Sequence, residues 1–281
     1  MMRNNPIAVV DSGIGGLSLL KPLVEKYPNE NYVYLADNEY MPYGNKSKSF
    51  IKTRLFQIVE YLQQNFNVKM VILACNTASA IALDYLKSKF QIEILGLNLN
   101  KYSVNGYTFC TRLASMSYSS LNCIPCPRLA QNIEDNYFDK RTLSKKIEKI
   151  VKKSLLINSK NELDTCSNPT QNIKFSNSGN DYNQKLEENE INSEKHLNSE
   201  PLRQGKENLG KNIILGCTHY ELVAPLFKKV CDANIILPCK DFVDELQLKH
   251  PNLQNSGNVV MLSTIPTKSY IDKLWKVFKC L

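Results

Sequence analysis

Val68-Lys69-Met70-Val71-Ile72-Leu73-Ala74-Cys75-Asn76-Thr77 and Lys211-Asn212-Ile213-Ile214-Leu215-Gly216-Cys217-Thr218-His219 read as variations on one another. Each is an apolar run, a small residue, a cysteine, polar residues and then a helix-like segment. A parallel strand buried on both faces and feeding a helix N-terminus has this sequence, because both faces demand apolar side chains. The repeat predicts an α/β chain of two pseudo-symmetric lobes, with mainly parallel sheets flanked by helices and an active site in the cleft between them. Two thiols at equivalent strand ends would then face each other. That arrangement suits an enzyme that needs a base on one face of its substrate and an acid on the other.

The bulk composition agrees with such an enzyme. A chain of 281 residues with 43% hydrophobic content can bury one large or two medium cores. Met1–Pro6 leads at once into a strand-like run with no secretory segment, and no apolar stretch reaches the length of a membrane span. Nine cysteines in a chain of this size read as reduced thiols, which places the protein in the cytoplasm. The net charge of +8 includes a dense run at Lys145, Lys146, Lys149, Lys152 and Lys153. The run alternates with Ile147, Ile150 and Val151, the pattern of an amphipathic helix with a solvated outer face. No zinc-finger spacing or RNA-binding signature accompanies it. Neither nucleic acid nor membrane is therefore expected as a partner.

Strand and helix patterns alternate from the start. Ile7–Val10, Asn31–Leu35, Lys69–Leu73 and Ile92–Leu97 read as strands; Leu17–Glu25, a helix ending near Asn65, and Thr77 to about Phe90 read as helices. The loops at Asp11, Asp37 and Cys75 fall at strand carboxyl ends, where such sheets bind ligands. Gly106–Cys110 reads as a strand opening a second sheet and Asp139–Ile157 as a helix. From Asn158 to Lys211 the chain turns to Asn, Ser, Glu and Lys without periodicity, and reads as a disordered polar insertion. Order resumes at Asn212, with segments at Glu221–Cys231, Asn234–Leu237, Asp241–Lys249, Val259–Leu262 and Thr267–Cys280. Residues 1–98 with 239–281 are expected to form the first lobe, and 99–238, interrupted at 158–211, the second.

Asp11-Ser12-Gly13-Ile14-Gly15-Gly16 is neither a Walker loop, lacking Gly-Lys-Ser/Thr, nor a dinucleotide fingerprint, since Ser18 stands where the third glycine belongs. Its backbone N–H groups are expected to hold an anion such as a carboxylate. Asp11 either caps the helix or meets an ammonium group or a thiol. Cys75 and Cys217 each precede a helix, whose positive end is expected to lower a thiol pKa. Asn76, Thr77, Thr218 and His219 follow them and can bind a polar ligand.

Asp11–Leu17, Pro42-Tyr43-Gly44, Ala74-Cys75-Asn76-Thr77-Ala78-Ser79 and Leu215-Gly216-Cys217-Thr218-His219-Tyr220 together resemble the motifs of the glutamate racemases, in the same order and relative placement. These belong to the cofactor-independent aspartate/glutamate racemases. The resemblance covers residues 7–98 and 211–281 well and 106–157 poorly. It implies interconversion of L- and D-glutamate for peptidoglycan, without cofactor or metal. Cys75 and Cys217 would be the acid/base thiols, tuned by Asp11 and His219. Asp11, Ser12, Tyr43, Gly44, Asn76, Thr77, Thr218 and His219 would bind substrate. Asp37 would lie near Cys75, and Glu134 would support the histidine.

The chain departs from that family between Asn98 and Tyr107, where a helix is missing, and at Ala114, where a second threonine should follow Thr111. Cys123-Ile124-Pro125-Cys126 lacks a second ligand pair for zinc. Two other functions remain open: a racemase of aspartate or another small dicarboxylate, and a catalytically silent binding protein. The oligomeric state, a homodimer included, is open as well.

Overall fold

The computed structural model describes residues 5–102, 106–118, 120–126, 128–149, 151–152, 212–231, 233–251, 253 and 256–281. The segment 158–211, read as a polar insertion, lies outside the described residues. The chain begins with β1 (Ile7–Asp11), α1 (Leu17–Lys26), β2 (Tyr32–Ala36), α2 (Lys48–Phe66), β3 (Met70–Leu73), α3 (Asn76–Lys87) and β4 (Glu93–Gly96). Then follow β5 (Gly106–Cys110), α4 (Arg112–Ser115), β6 (Cys123–Pro125), α5 (Leu129–Asn136) and a helix α6 over 140–149. The last stretch comprises β7 (Asn212–Gly216), α7 (Thr218–Glu221), α8 (Ala224–Val230), β8 (Asn234–Ile236), α9 (Pro238–Lys249), β9 (Val259–Ser263) and α10 (Lys268–Cys280).

Two parallel sheets flanked by helices result, the expected α/β fold. One has the order β4-β3-β1-β2-β9 and the other β6-β5-β7-β8. Register sets what the sheets present at their carboxyl edges. Asp11 pairs with Ala36 and Val10 with Leu73, so Asp11, Asp37 and Cys75 emerge at one edge of the first sheet. Cys110 pairs with Gly216, which brings Thr111 and Cys217 to one edge of the second.

Strand alternation divides the apolar side chains between two cores. Ile7, Val9, Tyr32, Tyr34, Met70 and Ile72 join a cluster that also holds Phe109, Ile213 and Leu215 of the second sheet. Ala8, Val10, Val33, Leu35, Val71 and Leu73 turn to the opposite face, against Ile51, Leu55 and Leu62 of α2. The first cluster therefore runs continuously through both sheets. Each fully buried Ile or Leu contributes about 1.5–3 kcal/mol.

Helix ends follow local chemistry. Ser47 accepts the Phe50 N–H at the start of α2, and Asn67 closes that helix in the left-handed conformation. In α6, Leu143 and Ile147 are buried while Lys145 and Lys149 are exposed, and buried Val151 and exposed Lys152 beyond it continue the solvated basic face expected; the rest of the helix read to Ile157 lies outside the described residues. Several elements differ from expectation, among them the short helix α4, which the sequence reading lacks. The segment read from Glu221 to Cys231 is instead two short helices, α7 starting earlier at Thr218 and α8 following after Leu222–Val223. Strand β6 is absent from the sequence reading, as a three-residue edge strand containing Pro125 carries almost no signal. Helix α5 is also new; its Leu129, Ala130 and Ile133 form a short apolar stripe among polar residues.

Candidate active site

The carboxyl edges of the two sheets meet at one narrow cavity. Ser12, Tyr43, Gly44, Cys75, Asn76, Thr77, Cys217, Thr218 and His219 line it, joined by Pro42, Thr111 and Ala130. Cys75 and Cys217 thus open onto a single space from different sheets. The Asn76 side-chain amide is buried there, and neither its nitrogen nor its oxygen has a hydrogen-bond partner among the described residues. An unpartnered buried amide costs about 1–3 kcal/mol, so a ligand that meets it recovers that energy on binding.

Asp11, Asp37 and Glu134 stand behind the lining. Asp11 accepts the Gly13 N–H at 2.8 Å with Oδ1 and the Thr218 hydroxyl at 3.0 Å with Oδ2, so it both closes its own turn and anchors the second lobe. Asp37 takes the Tyr43 hydroxyl at 2.6 Å and a bidentate contact from Arg54, whose Nη2 is 2.7 Å away. Glu134 accepts from His219 Nε2 at 2.8 Å and from the Ile14 N–H at 2.9 Å. The N–H groups of the glycine turn do hold carboxylates, but both, Asp11 and Glu134, belong to this chain. Close approach explains the glycines as well. A Cβ on Gly15 would stand 2.3 Å from His219 Nδ1, and one on Gly13 2.4 Å from Glu134 Oε2.

The electrostatics correct one expectation. Burial drives the Cys75 thiol pKa up, and the neighbouring Asp11 adds to it; the N–H groups of Ala78 and Thr77 at the α3 N-terminus pull the other way and lose. The helix acts in the expected sense, but desolvation is the larger effect. Burial works against charge on His219, yet hydrogen bonds with Cys217 and Glu134 prevail and raise its pKa to about 10. Glu134 is held down to about 2: burial opposes its charge, and His219, Lys273 and the Ile14 N–H overcome burial.

No family model matches the chain. A glutamate racemase from Lactococcus lactis subsp. cremoris (strain MG1363) is 31% identical over 84% of this chain and 75% of its own length. The chain belongs to the glutamate racemase family. A member from Buchnera aphidicola subsp. Schizaphis graminum (strain Sg) is 47% identical over 89 residues, and one from Rippkaea orientalis (strain PCC 8801 / RF-1) is 47% identical over 98. Those two alignments span 32% and 35% of this chain and only about a third of each relative, 35% and 34%. A crystal structure of a glutamate racemase isoform from Bacillus anthracis superposes with a TM-score of 0.70, covering 100% of this chain and 96% of that one at 22% identity. Escherichia coli glutamate racemase, crystallised with L-glutamate and an activator, gives 0.68 at 18% identity over 98% and 95% of the two chains. At such identities the match speaks for the fold.

Within this family member, several contacts near the cavity went unread in the sequence. Thr111 bridges the lobes, its hydroxyl 2.9 Å from that of Thr77 and its side chain pressed on Gly44. Arg54 lies one position before Leu55 on the inward-facing side of α2, and only the buried Asp37 reveals its purpose. Replacing it (Arg54→Met) leaves the fully buried Asp37 carboxylate without its cation. We expect a loss of about 2–3 kcal/mol in urea unfolding, reduced from the usual cost of a broken buried pair because Arg54 is partly exposed. Tyr43 then loses its fixed acceptor, and KM for the ligand rises.

Proposed function

We propose that this chain interconverts L- and D-glutamate by proton transfer between Cys75 and Cys217, supplying D-glutamate for peptidoglycan. Family membership supports the activity, and a related structure from Francisella tularensis subsp. tularensis SCHU S4 is described in complex with D-glutamate. The observation that carries the reading is the pair of thiols opening onto one cavity beside the unpartnered Asn76 amide.

In this reading one cysteine, as thiolate, forms an S–H bond while the α C–H bond breaks, and the electron pair moves into the substrate carboxylate. The Asn76 amide, buried at the cavity without a partner among the described residues, is the donor fixed in advance to hold that growing charge. The opposite thiol then gives its proton to the other face of the α-carbon, leaving a thiolate there. No atom is lost, and the two sulfurs exchange protonation states. A substrate ammonium between the lobes offsets the burial that disfavours a Cys75 thiolate. His219, hydrogen-bonded to Cys217 and backed by Glu134, fixes the sulfur on the other side. Thiols doing this work must stay reduced, which favours the cytoplasm.

Chiral chromatography after incubation with L-glutamate or L-aspartate tests the reading. D-glutamate should form, with D-aspartate slower by at least about tenfold. Faster turnover of aspartate would favour the small-dicarboxylate alternative. Binding without turnover of either would leave only a silent binding protein.

A further inference from the structure

Glu134 is gripped from behind by two residues for which the reaction so far has no use. We propose that Tyr270 and Lys273, on the C-terminal helix α10, are positioning residues of the Cys217 half-site, holding the Glu134 carboxylate so that it fixes His219 against Cys217. The proposal rests on the racemase reading.

Glu134 Oε2 faces His219 and Ile14. Its Oε1 receives the Tyr270 hydroxyl at 2.8 Å and Lys273 Nζ at 3.2 Å. Lys273 Nζ also donates to the main-chain carbonyl of Glu134. That carbonyl lies in the last turn of α5, where carbonyls lack helical partners. One ammonium therefore fixes both ends of the same residue. Tyr270 and Lys273 are three positions apart, so they share a helix face. α10 packs on β9 and α1, whereas Glu134 and His219 belong to elements around the second sheet. Three of the four groups holding the carboxylate side chain, at Ile14, Tyr270 and Lys273, thus come from elements packed on the first sheet. The charged and titratable groups around this point are Asp11, Tyr34, Glu134, Cys217, His219, Tyr270 and Lys273. Neither Tyr270 nor Lys273 lines the cavity. On the Cys75 side the corresponding buried carboxylate, Asp37, is held by Tyr43 and Arg54 instead.

The test uses the full chain and the variants Lys273→Met, Lys273→Arg and Tyr270→Phe, with thermal unfolding as a folding control. In Lys273→Met, kcat should fall about tenfold with KM within about twofold, and Lys273→Arg should restore most of it. Glutamate deuterated at the α-carbon separates the half-sites. With the Cys217 side weakened, the deuterium effect should rise for the enantiomer that Cys217 deprotonates and fall for the other. Nitrogen-15 NMR of the imidazoles gives a readout independent of turnover. His219 should titrate at lower pH in Lys273→Met than in the parent. Simple loss of a positive charge would move it upward, so a downward shift reports lost positioning. Equal deuterium effects for both enantiomers, or a His219 resonance that is unchanged or shifted upward, would overturn the proposal. A parent protein that fails to racemise, with the downward His219 shift still seen in the variant, would sink the racemase reading and leave the positioning intact.

Discussion

Cys75→Ser and Cys217→Ser should each lower kcat/KM by roughly 10²–10⁴-fold, the range attributable to general acid–base catalysis. A serine hydroxyl keeps the shape and can donate a hydrogen bond, but it does not become an anion near neutral pH. Both losses should appear in both directions. L- and D-glutamate have equal free energy, and crossing between them needs one abstraction and one donation whichever way it runs. The double variant should be little worse than either single one, because the two sulfurs act as a unit. Coupled-enzyme assay of both enantiomers with all three variants reads this directly. A single variant that retains full activity would remove its cysteine from the reaction.

Glu134→Gln should be the second most damaging change. The substitution keeps the volume but leaves His219 without its counter-charge inside a buried site. Breaking a buried pair by removing one partner costs about 3–5 kcal/mol, and activity should fall by about 10²-fold as the Cys217 side loses its support. The pH dependence has a definite sign. His219 has a folded pKa near 10, above its ordinary value of 6.5, so its stabilising contribution is complete below about pH 6.5 and is lost as pH rises toward 10. Glu134 is depressed to about 2 from 4.5, so its contribution is complete above about pH 4.5 and is lost as pH falls toward 2. The parent should therefore lose stability from pH 6.5 to 10 more steeply than Glu134→Gln. Parallel melting curves for the two proteins over that interval would contradict the ionised pair.

Much of this architecture is legible because a parallel strand buried on both faces must be apolar throughout. Met70–Leu73 and Ile213–Leu215 satisfy that demand, and each delivers its cysteine to a strand end. β6 escapes because an edge strand of three residues, one of them proline, is held by its neighbour rather than by its own pattern. α5 escapes because only one side of it meets the core, and eight residues are too few for a period to stand out.

The site divides along the same line. Residues that touch the cavity follow their strands in sequence, so Cys75-Asn76-Thr77 and Cys217-Thr218-His219 announce themselves. Residues that act from behind lie far away in the chain. Glu134 meets Ile14 across 120 positions and Lys273 across 139, and no local signal links them. The direction of the Cys75 pKa was illegible for a related reason. A helix N-terminus is visible in sequence, whereas the desolvation that outweighs it exists only once the lobes have closed around the thiol.

The central claim is that two sulfurs on opposite sides of one α-carbon share the proton transfer. Its most direct measurement is the early time course in deuterium oxide, starting from unlabelled L-glutamate. At low conversion the D-glutamate formed should carry deuterium at the α-carbon, while the remaining L-glutamate keeps its protium. Deuterium entering both enantiomers at equal rates from the start would mean a single base serving both faces.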